Sequence, residues 1–134
     1  MLYIGVGLWQ KQSSLMKPAV IALDVSTGNK LWTKVLDSQS KHGGVRSVIV
    51  DNGRVICTGY AKGQETGFLF INDEGSAVVW ELDTSGNLAK EKILSIEGLA
   101  QGAKIRKDAS SGYIMTSTAW AVLDGSYFID LSGP

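Results

Sequence analysis

A short segment of this chain occurs three times, and that repetition constrains the fold more than any single motif. Residues 22–31 read ALDVSTGNKL, residues 81–88 read ELDTSGNL, and residues 128–133 read FIDLSG. Each copy is an apolar, β-prone run that ends in aspartate and continues into a Ser/Thr-Gly turn. This arrangement is typical of a strand that reverses into its antiparallel neighbour. The copies therefore predict an antiparallel all-β structure built from repeated units.

The repeated unit extends over about four strands. Ile56 recurs as Ile114, and residues 2–7 parallel residues 54–59. Glycines separate short β-branched runs, and no segment keeps apolar residues at helical spacing for long. Ten strands are predicted: residues 2–8, 19–23 and 30–36 in the first unit, 45–50, 54–60, 77–82 and 88–94 in the second, and 103–107, 113–118 and 126–130 in the last. The first unit lacks its first strand, and the last unit lacks its fourth.

Charge and hydropathy favour a soluble globular domain and give no support to several kinds of partner. The 134 residues include 13 basic and 13 acidic side chains, with no basic stretch that could follow a phosphate backbone. No apolar run approaches the ~18 residues of a membrane span, so we expect neither nucleic acid nor a membrane as partner. The densest basic group, Lys104, Arg106 and Lys107, is expected on the solvated face of a strand. The single Cys57 cannot form an internal disulfide and is expected to be a small buried side chain.

A four-stranded antiparallel unit repeated along a chain is the blade of a β-propeller. The predicted blades are residues 1–40, 41–98 and 99–134, of which the first and last are incomplete, so the chain encodes about 2.5 blades. A closed propeller needs about four blades or more. We therefore expect either a homo-oligomer, with a dimer favoured, or the remainder of a longer propeller to complete the ring. A β-barrel or a β-sandwich is the alternative fold.

Two of the repeated segments resemble known propeller families. LDVSTG at residues 23–28 and LW at residues 31–32 resemble the blade signature of quinoprotein (PQQ-type) propellers, in which a Leu-Asp strand turns through Thr-Gly and ends in Trp. Residues 81–88, together with SGYI at residues 111–114, resemble related bacterial extracellular propeller repeats. The quinoprotein resemblance implies a bound pyrroloquinoline quinone, a calcium ion and a disulfide between adjacent cysteines. This chain has one cysteine and too few blades to surround a cofactor, so we expect no cofactor or metal and carry over no catalytic residue.

Aromatic side chains near the ends of equivalent strands are the main candidates for a binding surface. Trp9, Tyr60 and Trp120 lie close to strand ends. Phe68 and Phe70 lie in the longest predicted loop. Exposed aromatic rings stack on sugars and anchor protein partners, so we expect these residues to bind a protein or glycan at one rim of the scaffold. The alternative is that the rings pack between blades, or that the two phenylalanines belong to an extended strand.

The polar residues give no catalytic motif. Asp24, Asp83 and Asp130 are equivalent by repetition, which predicts a shared role in capping the turns by accepting backbone N–H bonds. His42 is the only histidine and is expected in a loop. The chain has no Gly-x-Ser-x-Gly nucleophile motif and no phosphate-binding Gly-x-x-x-x-Gly-Lys-Ser/Thr loop. The sequence therefore favours a non-enzymatic binding module. The alternative is a fragment of a propeller enzyme, a quinoprotein-like oxidoreductase or a hydrolase, whose catalytic residues lie outside this chain.

Overall fold

The computed structural model describes residues 1–11, 15–36, 42–62, 75–94, 99–110 and 112–119, and these residues form nine β-strands and no helix. The strands are β1 Leu2–Gln10, β2 Leu15–Leu23, β3 Lys30–Val35, β4 His42–Asp51, β5 Arg54–Lys62, β6 Gly75–Asp83, β7 Leu88–Leu94, β8 Leu99–Lys107 and β9 Tyr113–Ala119. The predicted all-β class is therefore confirmed for the described part of the chain.

The nine strands form three antiparallel sheets, each made of consecutive strands. The first sheet contains β1, β2 and β3 in that order, the second contains β4 to β7, and the third contains β8 and β9. Because β3 and β4 belong to different sheets, as do β7 and β8, the described strands are not closed into a barrel. The barrel alternative is therefore wrong for this part of the chain.

Several strands are longer than the repeat predicts. β4 starts at His42, so the lone histidine is the first residue of a strand and the expectation of a loop residue is wrong. Gly43 and Gly44 continue β4 because β5 extends far enough to pair with both of them. The strand predicted at residues 126–130 lies outside the described residues.

Short turns connect β2 to β3, β4 to β5, β6 to β7 and β8 to β9 at one end of the sheets, which we call the turn end. In the β4–β5 turn, Asn52 and Gly53 have φ values of 50° and 75°, the left-handed conformations that the Asp-Asn-Gly sequence predicts for a tight hairpin. The opposite end, where β1 leads to β2 and β5 leads to β6, is the loop end. The two names denote position only, since the four residues between β1 and β2 are fewer than the six between β2 and β3.

The main apolar core lies between the first and second sheets. Its buried members are Val20, Leu36, Val45, Val55, Cys57, Ala61, Val78, Trp80 and Leu82, with Tyr3, Trp32, Val48 and Leu88 at its margin. The two sheets approach so closely that a side chain at Gly5 would collide with Val45. Trp32 of β3 also donates an Nε1 hydrogen bond of 3.1 Å to the carbonyl of Thr84, which follows β6. These contacts join the first two sheets into one packed unit.

Polar contacts contribute more to the packing of the third sheet on the second than to the packing of the second sheet on the first. β8 packs against β4, β5 and β6. The backbone N–H of Ile105 donates to the Ser47 hydroxyl oxygen at 3.1 Å, and a side chain at Gly102 would collide with Thr58. The second sheet is thus covered on both faces, which explains why residues 55–61 of its central strand β5 are all buried.

The ladder registers correct the sequence alignment of β1 with β5 by one residue. Leu2 pairs with Leu23, and Val55 pairs with Leu82. Because both of these leucines directly precede a turn aspartate, Leu2 corresponds to Val55 and not, as the sequence match predicts, to Arg54. The sequence match aligned identical isoleucine and glycine residues of the two strands. The hydrogen-bonded register instead aligns residues that lie at the same distance from the turn. A shift of one residue reverses the face on which each side chain lies.

Candidate functional site

Trp9 lies near the end of β1, at the loop end of the first sheet. It is opposite Met16 in the β1–β2 ladder, and its side chain is 59% exposed. In contrast, Trp80 is fully buried in the core, and Trp32 contacts the second sheet at the turn end. The Trp9 indole is therefore accessible to a partner that approaches the loop end.

Tyr60 is near the same end of the second sheet but is buried, with 5% of its surface exposed. Its ring lies against Gly44, where a Cβ atom would be 3.2 Å from the ring. The Arg46 guanidinium carbon is 5.4 Å from the ring centroid, a cation–π contact. Arg46 is the extra residue of a β-bulge, which re-aims its side chain.

The structure therefore places Tyr60 differently from the accessible rim residue that the sequence predicts. Because the second sheet is covered on both faces, the ring is buried and supports the exposed Arg46 side chain. Trp120, Phe68 and Phe70 lie outside the described residues, and their role stays a prediction. Of the predicted aromatic residues, Trp9 is the exposed one within the described ranges.

A cluster of charged side chains at the turn end joins the second sheet to the third, and sequence reasoning missed it. Asp51 accepts a hydrogen bond from the Tyr113 hydroxyl at 2.6 Å and pairs with the Lys107 ammonium at 2.8 Å. Arg54 donates to the Tyr113 hydroxyl at 2.7 Å and to a Glu81 carboxylate oxygen at 3.1 Å. These contacts connect β4, β5 and β6 with both strands of the third sheet.

Lys104, Arg106 and Lys107 are all exposed, as predicted, and 52% of the Lys107 side chain is accessible to solvent, but the three do not share one face of β8. Lys107 is opposite Tyr113 in the β8–β9 ladder, and both side chains lie toward the second sheet. Strand alternation separates Lys107 from Arg106, but the sequence does not reveal which face another sheet covers.

Hydrogen bonds within this cluster shift the pKa values of Asp51, Lys107 and Tyr113. The bond from Lys107, followed by the bond from Tyr113, lowers the pKa of the Asp51 carboxyl. The same bonds to Asp51 raise the pKa of the Lys107 ammonium and of the Tyr113 hydroxyl. Asp51 is therefore ionised and both partners are protonated near neutral pH. Opposite charges are paired inside the cluster, so the arrangement links the second sheet to the third.

The turn aspartates accept hydrogen bonds from their own turns. Asp24 accepts from the backbone N–H and hydroxyl of Ser26, at 2.8 and 2.6 Å, and these bonds lower its pKa. Asp83 accepts from the backbone N–H groups of Ser85 and Asn87, both at 2.9 Å, and the bonds from Asn87 are the main cause of its lowered pKa. Asp130 lies outside the described residues. Asp24 and Asp83 thus hold the geometry of two strand reversals.

Few other candidates for chemistry lie in the part of the chain that the structure describes. Cys57 is a free thiol in the core, and burial raises its pKa to about 12. Among the described residues, no three His, Cys, Asp or Glu side chains are grouped so that they could hold a metal ion. Within the same ranges, no helix has the length and apolar character needed to cross a membrane.

Comparison with known proteins assigns the chain to no family. No protein-family model matches it, no curated protein matches it, and no solved structure matches it. The resemblance of its turns to propeller repeats therefore stays a prediction.

Proposed function

We propose that the chain is a segment of a β-propeller whose successive blades are residues 1–40, 41–98 and 99–134. Support comes from the way the three sheets stack. The first sheet packs on the second through the face that carries Gly5, and the second packs on the third through the corresponding face, which carries Thr58. Because each sheet turns the same face toward its successor, the stack can continue in one direction, as blades do.

This segment acts as a non-enzymatic module that binds a protein or glycan partner at the loop end. The observation that carries the proposal is the exposed Trp9 indole near the end of β1. Indole rings stack on sugar faces and are enriched among the residues that dominate protein interfaces.

Replacing Trp9 by alanine tests this function. The probes are maltohexaose, cellohexaose and chitohexaose for glycans, and peptides selected from a random phage-displayed library for proteins. Binding of the purified chain to the best probe is measured by isothermal titration calorimetry. We expect Trp9→Ala to raise the Kd at least about tenfold, the effect of truncating a dominant interface residue.

Val25→Ala is the matched control, since Val25 is another exposed apolar side chain but lies in the β2–β3 turn, at the turn end. Its Kd is expected to equal that of the wild-type chain. Equal binding by Trp9→Ala and wild type, or no binding to any probe, would contradict the proposed function.

A further inference from the structure

We infer that the outer face of the first sheet is a docking surface for the third sheet of a second copy of this chain. The outer face is the side of the first sheet that points away from the second sheet. Its larger apolar side chains, which surround the small Ala19, are Leu2, Ile4, Val6, Leu8, Ile21, Leu23 and Val35. The inference rests on the proposed stack of blades and names the partner that continues it.

Two strand positions that are buried in the second sheet are exposed in the first. By ladder register, Leu2 and Ile4 correspond to Val55 and Cys57. Val55 and Cys57 are 0% exposed because the first sheet covers them, whereas Leu2 and Ile4 are 50% and 37% exposed. The first sheet therefore exposes apolar side chains at positions whose counterparts are buried in the second sheet.

The stack also specifies which face can cover this surface. The first sheet covers the second with the face that carries Gly5, and the second covers the third with the corresponding face, which carries Thr58. In the third sheet that face points away from the second sheet and carries Ile114, which is 50% exposed. Within the described part of the chain, the corresponding faces of the first and second sheets are already in contact with the next sheet, and that of the third is uncovered. The partner for the outer face of the first sheet is therefore the third sheet of a second copy.

The outer face of the third sheet is suited to cover apolar side chains. Ile114 is opposite Arg106, and Thr116 is opposite Lys104, in the β8–β9 ladder. Arg and Lys side chains lay their methylene stems over apolar surface while their charges stay in water. Ile114 adds apolar area at the centre of this group, so the contact removes apolar surface from water on both copies.

Two copies joined in this way have two identical contacts, because each copy offers one first-sheet face and one third-sheet face. Contacts between unlike faces close into a ring when the rotation from copy to copy completes a full turn. The described residues of two copies form six sheets, within the range of roughly four to eight blades that propellers use. The species inferred is a closed head-to-tail dimer.

Size-exclusion chromatography with multi-angle light scattering tests the dimer over a range of protein concentrations. We expect the full chain to have about twice its 14.3 kDa mass. Ile4→Lys and Ile114→Lys each place a charge in one half of the contact, and each is expected to raise the dimer dissociation constant at least about tenfold. Val25→Lys adds the same charge at an exposed site outside the contact and is expected to stay dimeric. Circular dichroism checks that each variant folds. Because the two substitutions lie on different sheets, one variant still tests the contact if the other does not fold.

A mixture of the two variants distinguishes head-to-tail docking from other arrangements. An Ile4→Lys copy and an Ile114→Lys copy keep one unmodified contact between them, so the mixture is expected to form more dimer than either variant alone. If two first-sheet faces pair with each other, Ile114→Lys stays dimeric, and that result overturns the inference. A monomeric wild-type chain, or polymers larger than a dimer, would also overturn it. Probe binding through Trp9 is measured separately, so its failure and the failure of the dimer are distinguishable.

Discussion

At the scale of single residues, Asp51 is expected to have the clearest effect on pH-dependent stability. Bonds from Lys107 and Tyr113 lower its pKa, so its contribution is present above its unfolded pKa of about 3.9 and is lost as the pH falls. The pKa values of Tyr113 and Lys107 are raised, so their contributions are present below unfolded values of about 10 and are lost as the pH rises. We therefore expect the highest melting temperature between about pH 5 and pH 9.

Asp51→Asn should lower the melting temperature at neutral pH and flatten both the acid and the alkaline arm of the profile. Thermal melts followed by circular dichroism across the pH range measure this. Asp108→Asn is the control, because Asp108 accepts hydrogen bonds from Ala109 and Ser110 of its own turn. Its loss should flatten the acid arm alone. If Asp51→Asn keeps the wild-type alkaline arm, the pairing of Asp51 with Lys107 and Tyr113 does not govern stability.

Sequence reasoning assigned the roles of residues whose hydrogen-bond partners lie nearby in the chain. Asp24 and Asp83 bind groups within a few positions along the chain, and turn chemistry alone indicates such bonds. Asp51 was missed because its partners Lys107 and Tyr113 come from another sheet. The burial of Tyr60 was missed for the same reason, since a single strand pattern does not show that both faces of its sheet are covered.

At the scale of elements, the β6–β7 turn is more constrained than the β2–β3 turn. Gly28 and Gly86 both have left-handed φ values, 76° and 91°. A Cβ atom at Gly86 would lie 2.9 Å from the Trp32 ring, whereas at Gly28 it would meet nothing within 4 Å. We expect Gly28→Ala to lower the free energy of unfolding by about 1 kcal/mol through backbone strain. Gly86→Ala should lower it by about 1 kcal/mol more, because the ring must move.

Urea denaturation of the two glycine variants, at one protein concentration, compares these turns. The backbone strain is similar at both positions, so the difference between the variants isolates the contact with Trp32. Equal losses of stability would mean that the Trp32 ring moves aside at no cost in free energy, contrary to the expectation.

The existence of the strands and turns could be read from the sequence, but their register could not. Alternation and Asp-containing turns are local signals, and they predicted the centres of all nine described strands. The alignment of β1 with β5 was wrong by one residue, because repeated letters in short strands fit more than one register. The start of β4 at His42 was also missed, since two glycines follow it and the pairing with β5 is a property of the assembled sheet.

At the scale of the whole molecule, the two sheet contacts differ in kind. The first and second sheets share an apolar core, whereas hydrogen bonds and ion pairs supplement the packing of the third sheet on the second. A core shared by two sheets makes their separate unfolding unfavourable, because each would expose apolar surface that the other covers. We therefore expect the first and second sheets to unfold in one transition.

Trp32→Phe tests how the first two sheets are coupled. Phenylalanine keeps a ring at the margin of the core but removes the Nε1 donor to the Thr84 carbonyl, so the free energy of unfolding should fall by about 1 kcal/mol. Trp9→Phe is the control, and because Trp9 is exposed its effect should stay within about 0.5 kcal/mol. Both are measured by urea denaturation at the same protein concentration, since self-association stabilises by mass action. A single transition at lower urea is expected for Trp32→Phe, because the shared core persists. A separate early transition would instead mean that the Trp32 hydrogen bond, and not the core, holds the two sheets together.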